Sequence, residues 1–429
     1  MHSQTILENG VRVVTKKMEQ QRSLSIGFLF DAGPAHEPEF KSGVAHLCEH
    51  LMFKGTKGRS DDEIARIVDT TGGSIAAFTS RDYTCFSATV LDDYGTYIID
   101  LFGDVFLNSV FRPASLEQEK HSIQHELLSA SDRPDLLAHE QLKAAIWQGH
   151  HLGRPIGGSL ASVERLERED VLAFVDQHYR ANRLVVAAAG NLIHDELVAS
   201  INDALWALRP GRANVLPAGG LAPFQAGVQV SQKDIRHVYF SIGIRAFSFN
   251  SEHRYHLHLL NAILGGGISS RLYHCLRQTK GLVYAIDSEY QAYRDGGLLV
   301  IEGATLPELL EEVLVTIFTE LNELACGGLS ISAEELWKAK MQLKGRHLLA
   351  AENGSTIMSN LATQSLYFNR YIESEEMVSR IEDVEAGVLH GLASRLLQGG
   401  IKDAAISLVG PEGIGDCLAA VLQKMTSGV

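Results

Sequence analysis

Residues 45–56 read AHLCEHLMFKGT, with two histidines and one glutamate inside five positions of a largely apolar run. The segment follows Gly43 and predicts a helix that opens after this glycine. Side chains four positions apart lie on one face of a helix, so His46 and His50 are expected to project together. Glu49 is rotated slightly off this face. The pattern predicts two imidazoles about one turn apart with a carboxylate beside them.

A metal site accounts for these three polar residues. Their neighbours are apolar nearly all round the helix: Ala45, Leu47, Leu51, Met52 and Phe53. Ionisable groups buried among such side chains are costly unless they are paired or bound to a metal. Two imidazoles, a carboxylate and an open position for water suit zinc, and Glu49 could accept a proton from that water. The alternative, a helix with polar residues at its solvent edge, stays open because so short a motif can occur by chance.

The composition limits the class of protein. The chain has 429 residues, 45% of them hydrophobic, which is enough for two or three domains with cores of their own. Its formal net charge of −14 disfavours nucleic acid as a partner. We expect no signal peptide and no membrane span, because no suitable apolar stretch occurs. The five scattered cysteines form no Cys-x-x-Cys pair, which is typical of reduced thiols in a cytoplasmic protein.

The middle of the chain is rich in proline and glycine, which predicts a linker at residues 210–227. The linker separates a predicted N-terminal domain, residues 1–209, from a C-terminal domain, residues 228–429. The two parts have typical domain sizes.

Two sequence landmarks indicate that these domains are duplicates. Gly27 in SLSIGFLF matches Gly243 in YFSIGIRA at an offset of 216. Gly190 in NRLVVAAAGNL matches Gly410 in KDAAISLVGPE at an offset of 220. In each case we expect a strand to end at the glycine and lead into a helix, although glycines also close unrelated strands.

Strands and helices occur in runs rather than in strict alternation. Residues 73–91 predict a pair of strands, and residues 92–110 and 306–324 each predict a helix with an apolar face. This order favours an α+β protein with two homologous domains, each an antiparallel-rich sheet packed with helices.

The histidine motif, with its trailing Phe-Lys-Gly-Thr, resembles the pitrilysin/insulinase-type zinc metallopeptidases, the inverzincins of signature H-x-x-E-H. The similarity is to the short branch that includes mitochondrial processing peptidase and its bacterial relatives. In that family a glutamate on a later helix completes the zinc site, and Glu126 stands at that spacing. Glu119 matches a family acid that could steady His50 or Glu126. We expect their helix to begin with a capping box of Ser115 and Gln118.

Two other histidine pairs are weaker candidates for a metal site. His121 and His125 are four apart on the same predicted helix, but their face is turned away from Glu126 and no third ligand suggests itself. We interpret them as exposed. His150 and His151 in QGHHLGRPIGGS predict a loop, and the family has a similar segment there.

The resemblance also implies a strand that binds substrate. GGSIAAFTSRDYTCF resembles the family segment that forms an edge strand beside the zinc, to which substrates add as an extra strand. The backbone of Ala76, Ala77 and Phe78 would then pair with the peptide. The family usually has asparagine in place of Ala76, and the alanine removes a side-chain contact near the cleaved bond that the resemblance would otherwise imply.

A separate segment of the second half, SSRLYHCLRQTKGLVYAI, resembles the family too. It carries Arg277 and Tyr284, seven apart like the family residues that contact substrate and stabilise the oxyanion. Alone, they would be interpreted as a surface arginine and a core tyrosine. The glycine-rich residues 264–272 lack the ending of a phosphate loop, and the resemblance implies a flexible loop near the substrate. Residues 262–266 stand where the first half has its ligands but contain none, so one Zn²⁺ per chain is expected.

Together these features predict a zinc-dependent endopeptidase that cleaves peptides or unfolded polypeptide segments. Longer relatives join four such domains in one chain, so two domains imply pairing. The partner would be a second copy, giving a homodimer, or a zinc-free homologous subunit, and it could supply the Arg277–Tyr284 lobe. The alternative is a non-catalytic scaffold or partner subunit, because the family includes core subunits of a respiratory complex.

Overall fold

The computed structural model describes residues 2–211, 222–327 and 330–427, and most of the predicted linker lies outside these ranges. The protein has the predicted α+β fold and divides into two compact units. Unit 1 comprises the described residues within Met1–Leu128, Arg154–Ala218 and Leu348–Ile372. Unit 2 comprises those within Ser129–Gly153, Gly219–His347 and Glu373–Val429. Each unit therefore contains segments from both halves of the sequence.

Unit 1 is built on a six-stranded sheet. Its strands are β1 (His2–Ile6), β2 (Arg12–Lys17), β3 (Ser23–Phe30), β4 (Ser74–Thr79), β5 (Thr84–Leu91) and β6 (Leu184–Gly190). They lie in the order β1-β2-β6-β3-β5-β4, and each neighbouring pair is antiparallel except β2 with β6. The strand pair predicted at residues 73–91 is confirmed as β4 and β5, and β4 forms one edge.

Unit 2 repeats this arrangement with five strands. They are β7 (Gly227–Gln232), β8 (Val238–Ala246), β9 (Val283–Ala292), β10 (Gly297–Thr305) and β11 (Ala404–Gly410). Their order is β7-β11-β8-β10-β9, with β7 and β11 the parallel pair. This matches β2-β6-β3-β5-β4 strand for strand, which confirms the predicted homology of the two domains. As predicted, Gly190 and Gly410 end matching strands, β6 and β11.

Helices account for most of the remaining described residues. They are α1 (Val44–Leu51), α2 (Asp61–Thr71), α3 (Gly95–Asn108), α4 (Pro113–Asp132), α5 (Pro134–Ile146), α6 (Leu160–Arg165), α7 (Arg168–His178), α8 (His194–Leu205), α9 (Arg254–Leu264), α10 (Leu310–Cys326), α11 (Ala333–Ala350), α12 (Gly354–Phe368), α13 (Ser374–Glu382), α14 (Ala386–Leu397) and α15 (Ile414–Ser427). The helices predicted at residues 92–110 and 306–324 are confirmed as α3 and α10. Among the helices of the described chain, none has the length and apolar character that a bilayer crossing requires.

The central strands of both sheets are buried on both faces. In unit 1 the larger core packs the sheet against α3 and α8, while α12 covers the opposite face. In unit 2, α9, α10 and α14 contribute to the larger core, and α5 covers the opposite face. Burial on both faces explains the nearly continuous apolar sequence of the central strands.

The first pair of matching glycines lies in the middle of β3 and β8, so the expectation that strands end there is wrong. A Cβ on Gly27 would lie 2.3 Å from the sulfur of Met358 in α12. A Cβ on Gly243 would lie 2.6 Å from Cδ1 of Ile146 in α5. The two glycines are equivalent because each lets a helix approach the centre of its sheet closely.

The start predicted for the helix of Glu119 and Glu126 is also wrong. Helix α4 begins at Pro113, so Ser115 is already helical and is not the capping residue. Proline suits the first helical position because its φ is fixed near the helical value and it has no N–H to satisfy. This signal outweighs the pairing of Ser115 with Gln118.

Candidate metal centre

Helix α1 carries the two histidines and is capped by a buried carboxylate. It starts after Gly43, whose φ of 96° lies in the left-handed region, and this confirms the predicted opening. Glu37 accepts hydrogen bonds from the backbone N–H groups of Gly43 (3.0 Å) and Ala45 (2.8 Å). N–H groups at a helix start lack partners within the helix, so the Glu37 side chain satisfies them. Burial raises the pKa of Glu37 to about 7, although these hydrogen bonds oppose the shift.

The imidazoles of His46 and His50 lie next to each other, one helical turn apart. Their ring centroids are 4.6 Å apart with an angle of 79° between the ring planes. The side chains are 18% and 17% exposed. Burial, and secondarily His50, lowers the pKa of His46 to about 4, which keeps this imidazole neutral, the form that binds a metal.

Glu126 on α4 brings a carboxylate to the two imidazoles. Its Oε2 is 3.9 Å from Nε2 of His46 and 3.8 Å from Nε2 of His50. One ligand atom from each of the three residues lies within 4.8 Å of the others. These separations are too long for hydrogen bonds, whereas two ligands of one tetrahedral zinc lie about 3.4 Å apart. The donor set and its spacing therefore fit a zinc ion.

Glu119 holds one of the two imidazoles in place. Its Oε2 is 3.0 Å from Nδ1 of His50, and its Oε1 is 2.8 Å from Nζ of Lys54. When Nδ1 donates its proton to this carboxylate, Nε2 keeps the lone pair that a metal needs. Nδ1 of His46 is buried and has no hydrogen-bond partner in the described part of the chain. The carboxylate of Glu119 therefore orients His50 but not His46.

Glu49 lies beside the two imidazoles and is oriented from β4. Oγ1 of Thr79 donates a hydrogen bond of 2.6 Å to Oε2 of Glu49, which leaves Oε1 for another partner. Burial raises the pKa of Glu49, while the Thr79 hydrogen bond opposes the shift. A carboxyl group with a raised pKa is a better proton acceptor near neutral pH.

The sequence of this chain matches a known protein family. A family model described as insulinase (peptidase family M16) matches residues 12–159, and one described as the peptidase M16 inactive domain matches residues 165–343. The chain is 31% identical to the uncharacterized zinc protease YmxG of Bacillus subtilis over 95% of its own length and 97% of that protein. The chain belongs to peptidase family M16. This M16 protein is also 33% identical to the uncharacterized zinc protease Rv2782c of Mycobacterium tuberculosis, over 98% of its length and 96% of that protein.

Solved structures share the M16 fold. A protease from Helicobacter pylori superposes with a TM-score of 0.89 at 20% identity, covering 96% of this chain and 100% of that one. A chain of Complex III2 from Candida albicans superposes with a TM-score of 0.80 at 21% identity, covering 97% of each chain. At such low identity these likenesses show the fold alone.

Arg277 and Tyr284 lie in the part of this M16 chain that matches the inactive-domain model. Arg277 is exposed in a π-helical turn, Tyr273–Thr279, and its Cζ is 5.5 Å from the ring centroid of Tyr284. The Tyr284 side chain on β9 is 78% exposed, so it is not a core residue. The structure brings the two side chains together, and their action on a substrate stays a prediction. In the neighbouring glycine-rich loop, the carbonyl of Gly266 accepts hydrogen bonds from α11.

The three residues predicted to pair with a peptide lie on β4. This strand pairs with β5 on one side and ends the sheet on the other. Ala76 and Phe78 are exposed and Ala77 is half-buried. No strand of the described part of the chain covers the outer side of β4, so this edge could accept an added strand. Pairing with a substrate stays a prediction.

Two features were missed by sequence reasoning. The first is the pair of polar contacts around α1, from Glu37 and Thr79, which no short motif links to the histidines. Glu37 stands seven residues before the first residue of α1, and Glu39 is nearer to it, so no local capping signal singles out Glu37. The second is Asp295, which the structure places beside His150 and His151. By contrast, His121 and His125 are exposed, as expected.

Proposed function

We propose that this M16 protein is a zinc-dependent endopeptidase that cleaves peptides or unfolded polypeptide segments. The observation that carries the proposal is the convergence of His46, His50 and Glu126, whose ligand atoms lie within 4.8 Å of one another, with Glu49 alongside. Zinc bound there would polarise the scissile carbonyl and acidify a water molecule. The names of the relatives, zinc proteases, support the same metal and reaction class.

Glu49 is the proposed general base. Its hydrogen bond from Thr79 fixes one carboxylate oxygen and leaves the other to take a proton from water. Its raised pKa favours this transfer, and the protonated carboxyl group then returns the proton to the leaving amine.

The substrate is proposed to bind as an added strand on β4, through the backbone of Ala76, Ala77 and Phe78. Arg277 and Tyr284 are the proposed donors to the oxyanion, because a guanidinium and a phenol both donate hydrogen bonds to developing negative charge. Their exposure and mutual contact support this role.

The experiment compares wild-type protein with Glu49→Gln on an internally quenched peptide, with zinc content measured for both. We expect one catalytic zinc in each protein and a decrease in kcat of about 10²–10⁴-fold in the variant, the usual contribution of a general base. Zinc bound in both proteins without turnover that depends on Glu49 would support the scaffold alternative instead.

The proposal includes pairing of two chains, each with one catalytic zinc, as a homodimer or with a zinc-free homologous subunit. Mass measurement by light scattering tests it directly. If the partner supplies Arg277 to the zinc of the other chain, mixing inactive Glu49→Gln and Arg277→Ala chains restores part of the activity. A monomer that is active alone contradicts the pairing. The cytoplasmic location stays a prediction from cysteine content.

A further inference from the structure

A second cluster of metal-binding side chains lies in unit 2. It combines His150 and His151, which follow α5, with Asp295 from the turn between β9 and β10. One ligand atom from each residue lies within 4.8 Å of the others. Asp295 is distant from the two histidines in the sequence, so no short motif connects the three residues.

The geometry of this cluster suits one small cation. Nε2 of His151 is 3.5 Å from Oδ2 of Asp295, and both side chains are 15% exposed. The rings of His150 and His151 have centroids 4.1 Å apart with an angle of 34° between their planes. The spacing of 3.5 Å is longer than a good hydrogen bond and close to that of two ligands on one tetrahedral ion, about 3.4 Å.

Hydrogen bonds fix the backbone around both parts of the cluster. The N–H of His150 donates to the carbonyl of Trp147, and the N–H of Gly153 donates to the carbonyl of His150, each at 3.0 Å. The carbonyl of Asp295 accepts a 2.7 Å hydrogen bond from the N–H of Ala222. A preformed site loses little conformational entropy on binding a ligand.

The two loops are also packed against each other. The buried ring of Trp147 meets the ring of Tyr293 edge-on, with centroids 5.5 Å apart. Trp147 precedes the two histidines and Tyr293 precedes Asp295 in the turn. This contact packs the segment that precedes the two histidines against the turn that carries Asp295.

We propose that His150, His151 and Asp295 bind a divalent transition-metal ion of the zinc class, separate from the metal of the M16 motif. Two imidazole nitrogens and one carboxylate oxygen form a donor set that favours zinc over calcium or magnesium. Three protein ligands leave a fourth position for water or another group. The N–H of Leu152 donates a long hydrogen bond of 3.3 Å to Nδ1 of His150. A metal on Nδ1 would replace this hydrogen bond. A metal on Nε2 would leave the ring proton on Nδ1, which could then no longer accept the hydrogen bond. A simple ion pair of His151 with Asp295 is the competing interpretation.

The experiment counts metal ions in the full-length chain. Protein stripped with a chelator is equilibrated with Zn²⁺, and bound zinc is measured by elemental mass spectrometry; Co²⁺ absorption reports the coordination. The variants are His151→Gln and Asp295→Asn for this cluster and His46→Gln for the M16 motif. His125→Gln, an exposed histidine, is the matched control. Melting temperatures show that each variant is folded.

We expect two zinc ions per wild-type chain and per His125→Gln chain. Each of His151→Gln, Asp295→Asn and His46→Gln should lose one ion and keep the other. One ion in the wild type, retained in His151→Gln and Asp295→Asn but lost in His46→Gln, overturns this inference and leaves the proposed peptidase intact. One ion that is lost in His151→Gln but retained in His46→Gln supports the second site and counts against the first.

Discussion

At the scale of single residues, Glu37 connects the loop before α1 to the helix that carries the histidines. Its carboxylate accepts the hydrogen bonds of Gly43 and Ala45, and its backbone carbonyl accepts one from Arg154 at 2.9 Å. The side chain is only 6% exposed. A buried carboxylate with such contacts affects both the stability and the pH dependence of the protein.

The first prediction concerns the pH dependence of stability through Glu37. Its folded-state pKa of about 7 exceeds the ordinary value of 4.5, so the folded chain binds this proton more tightly than the unfolded chain. Stability contributed by the proton is therefore present below pH 4.5 and is lost as the pH rises towards 7. Relative to Glu37→Gln, the free energy of unfolding of the wild type should fall by roughly 3 kcal/mol across this window. Urea denaturation of the metal-free proteins at several pH values checks this, and a constant difference contradicts it.

The second prediction concerns Glu119. Replacing it with glutamine removes the charged acceptor that orients His50, so the dissociation constant for zinc at the M16 motif should rise about 10–100-fold. Competition with a chromophoric chelator measures this constant. Glu117→Gln is the control, because Glu117 is exposed on the same helix and pairs with Lys120. Equal zinc affinities for the two variants would show that Glu119 does not orient the ligand.

At the scale of secondary structure, the end of β6 lies so close to β3 that only glycine fits at position 190. The φ of Gly190 is 140°, and an added Cβ would lie 2.1 Å from the carbonyl oxygen of Ser23. Because that neighbour is backbone in a paired strand, it cannot move aside as a flexible side chain could.

The third prediction follows from this contact. Gly190→Ala should lower the free energy of unfolding by about 3 kcal/mol. Gly72→Ala is the matched control, because Gly72 also has a positive φ (60°) but no atom within 4 Å of an added Cβ. It should cost about 1–2 kcal/mol, the strain of a left-handed residue alone. Chemical denaturation of both variants gives the comparison, and equal losses would mean that the contact with Ser23 is relieved by backbone movement.

At the scale of the whole molecule, each unit depends on a helix from the other half of the sequence. Helix α12 packs Ile357, Met358 and Leu361 on the sheet of unit 1. Burying three such side chains contributes about 5–9 kcal/mol, which is comparable to the whole stability of a typical domain. The compact units are therefore not the two contiguous halves.

The fourth prediction is that residues 1–211 alone do not fold cooperatively. Without α12, one face of the β3–β6 sheet would be exposed to water, and the fragment should aggregate or bind a hydrophobic dye. Co-expression with residues 222–429 should restore a soluble complex with a cooperative melt. A fragment 1–211 that melts cooperatively by itself would show that α12 is dispensable.

Local sequence patterns were sufficient to predict several parts of this fold. The 3.6-residue period placed His46 and His50 on one face of α1, and β-branched and aromatic residues predicted β4 and β5. The family resemblance added Glu126, which no local pattern could connect to the histidines. Where two local signals competed, as Pro113 and Ser115 did at the start of α4, the choice between them was wrong.

The sequence alone determined the α+β class, the duplicated domains and the membership of peptidase family M16, because periodicity, matching glycines and the order and spacing of motifs can all be read along the chain. Only the tertiary structure decided that α5 packs in unit 2 and α12 in unit 1, that Glu37 caps α1, and that Asp295 lies beside His150 and His151. The contacts of α5, α12 and Asp295 join residues far apart in the chain, and Glu37 reaches α1 across a loop that no short motif specifies. Their energies come from burial and close packing, which depend on the folded arrangement and leave no local period in the sequence.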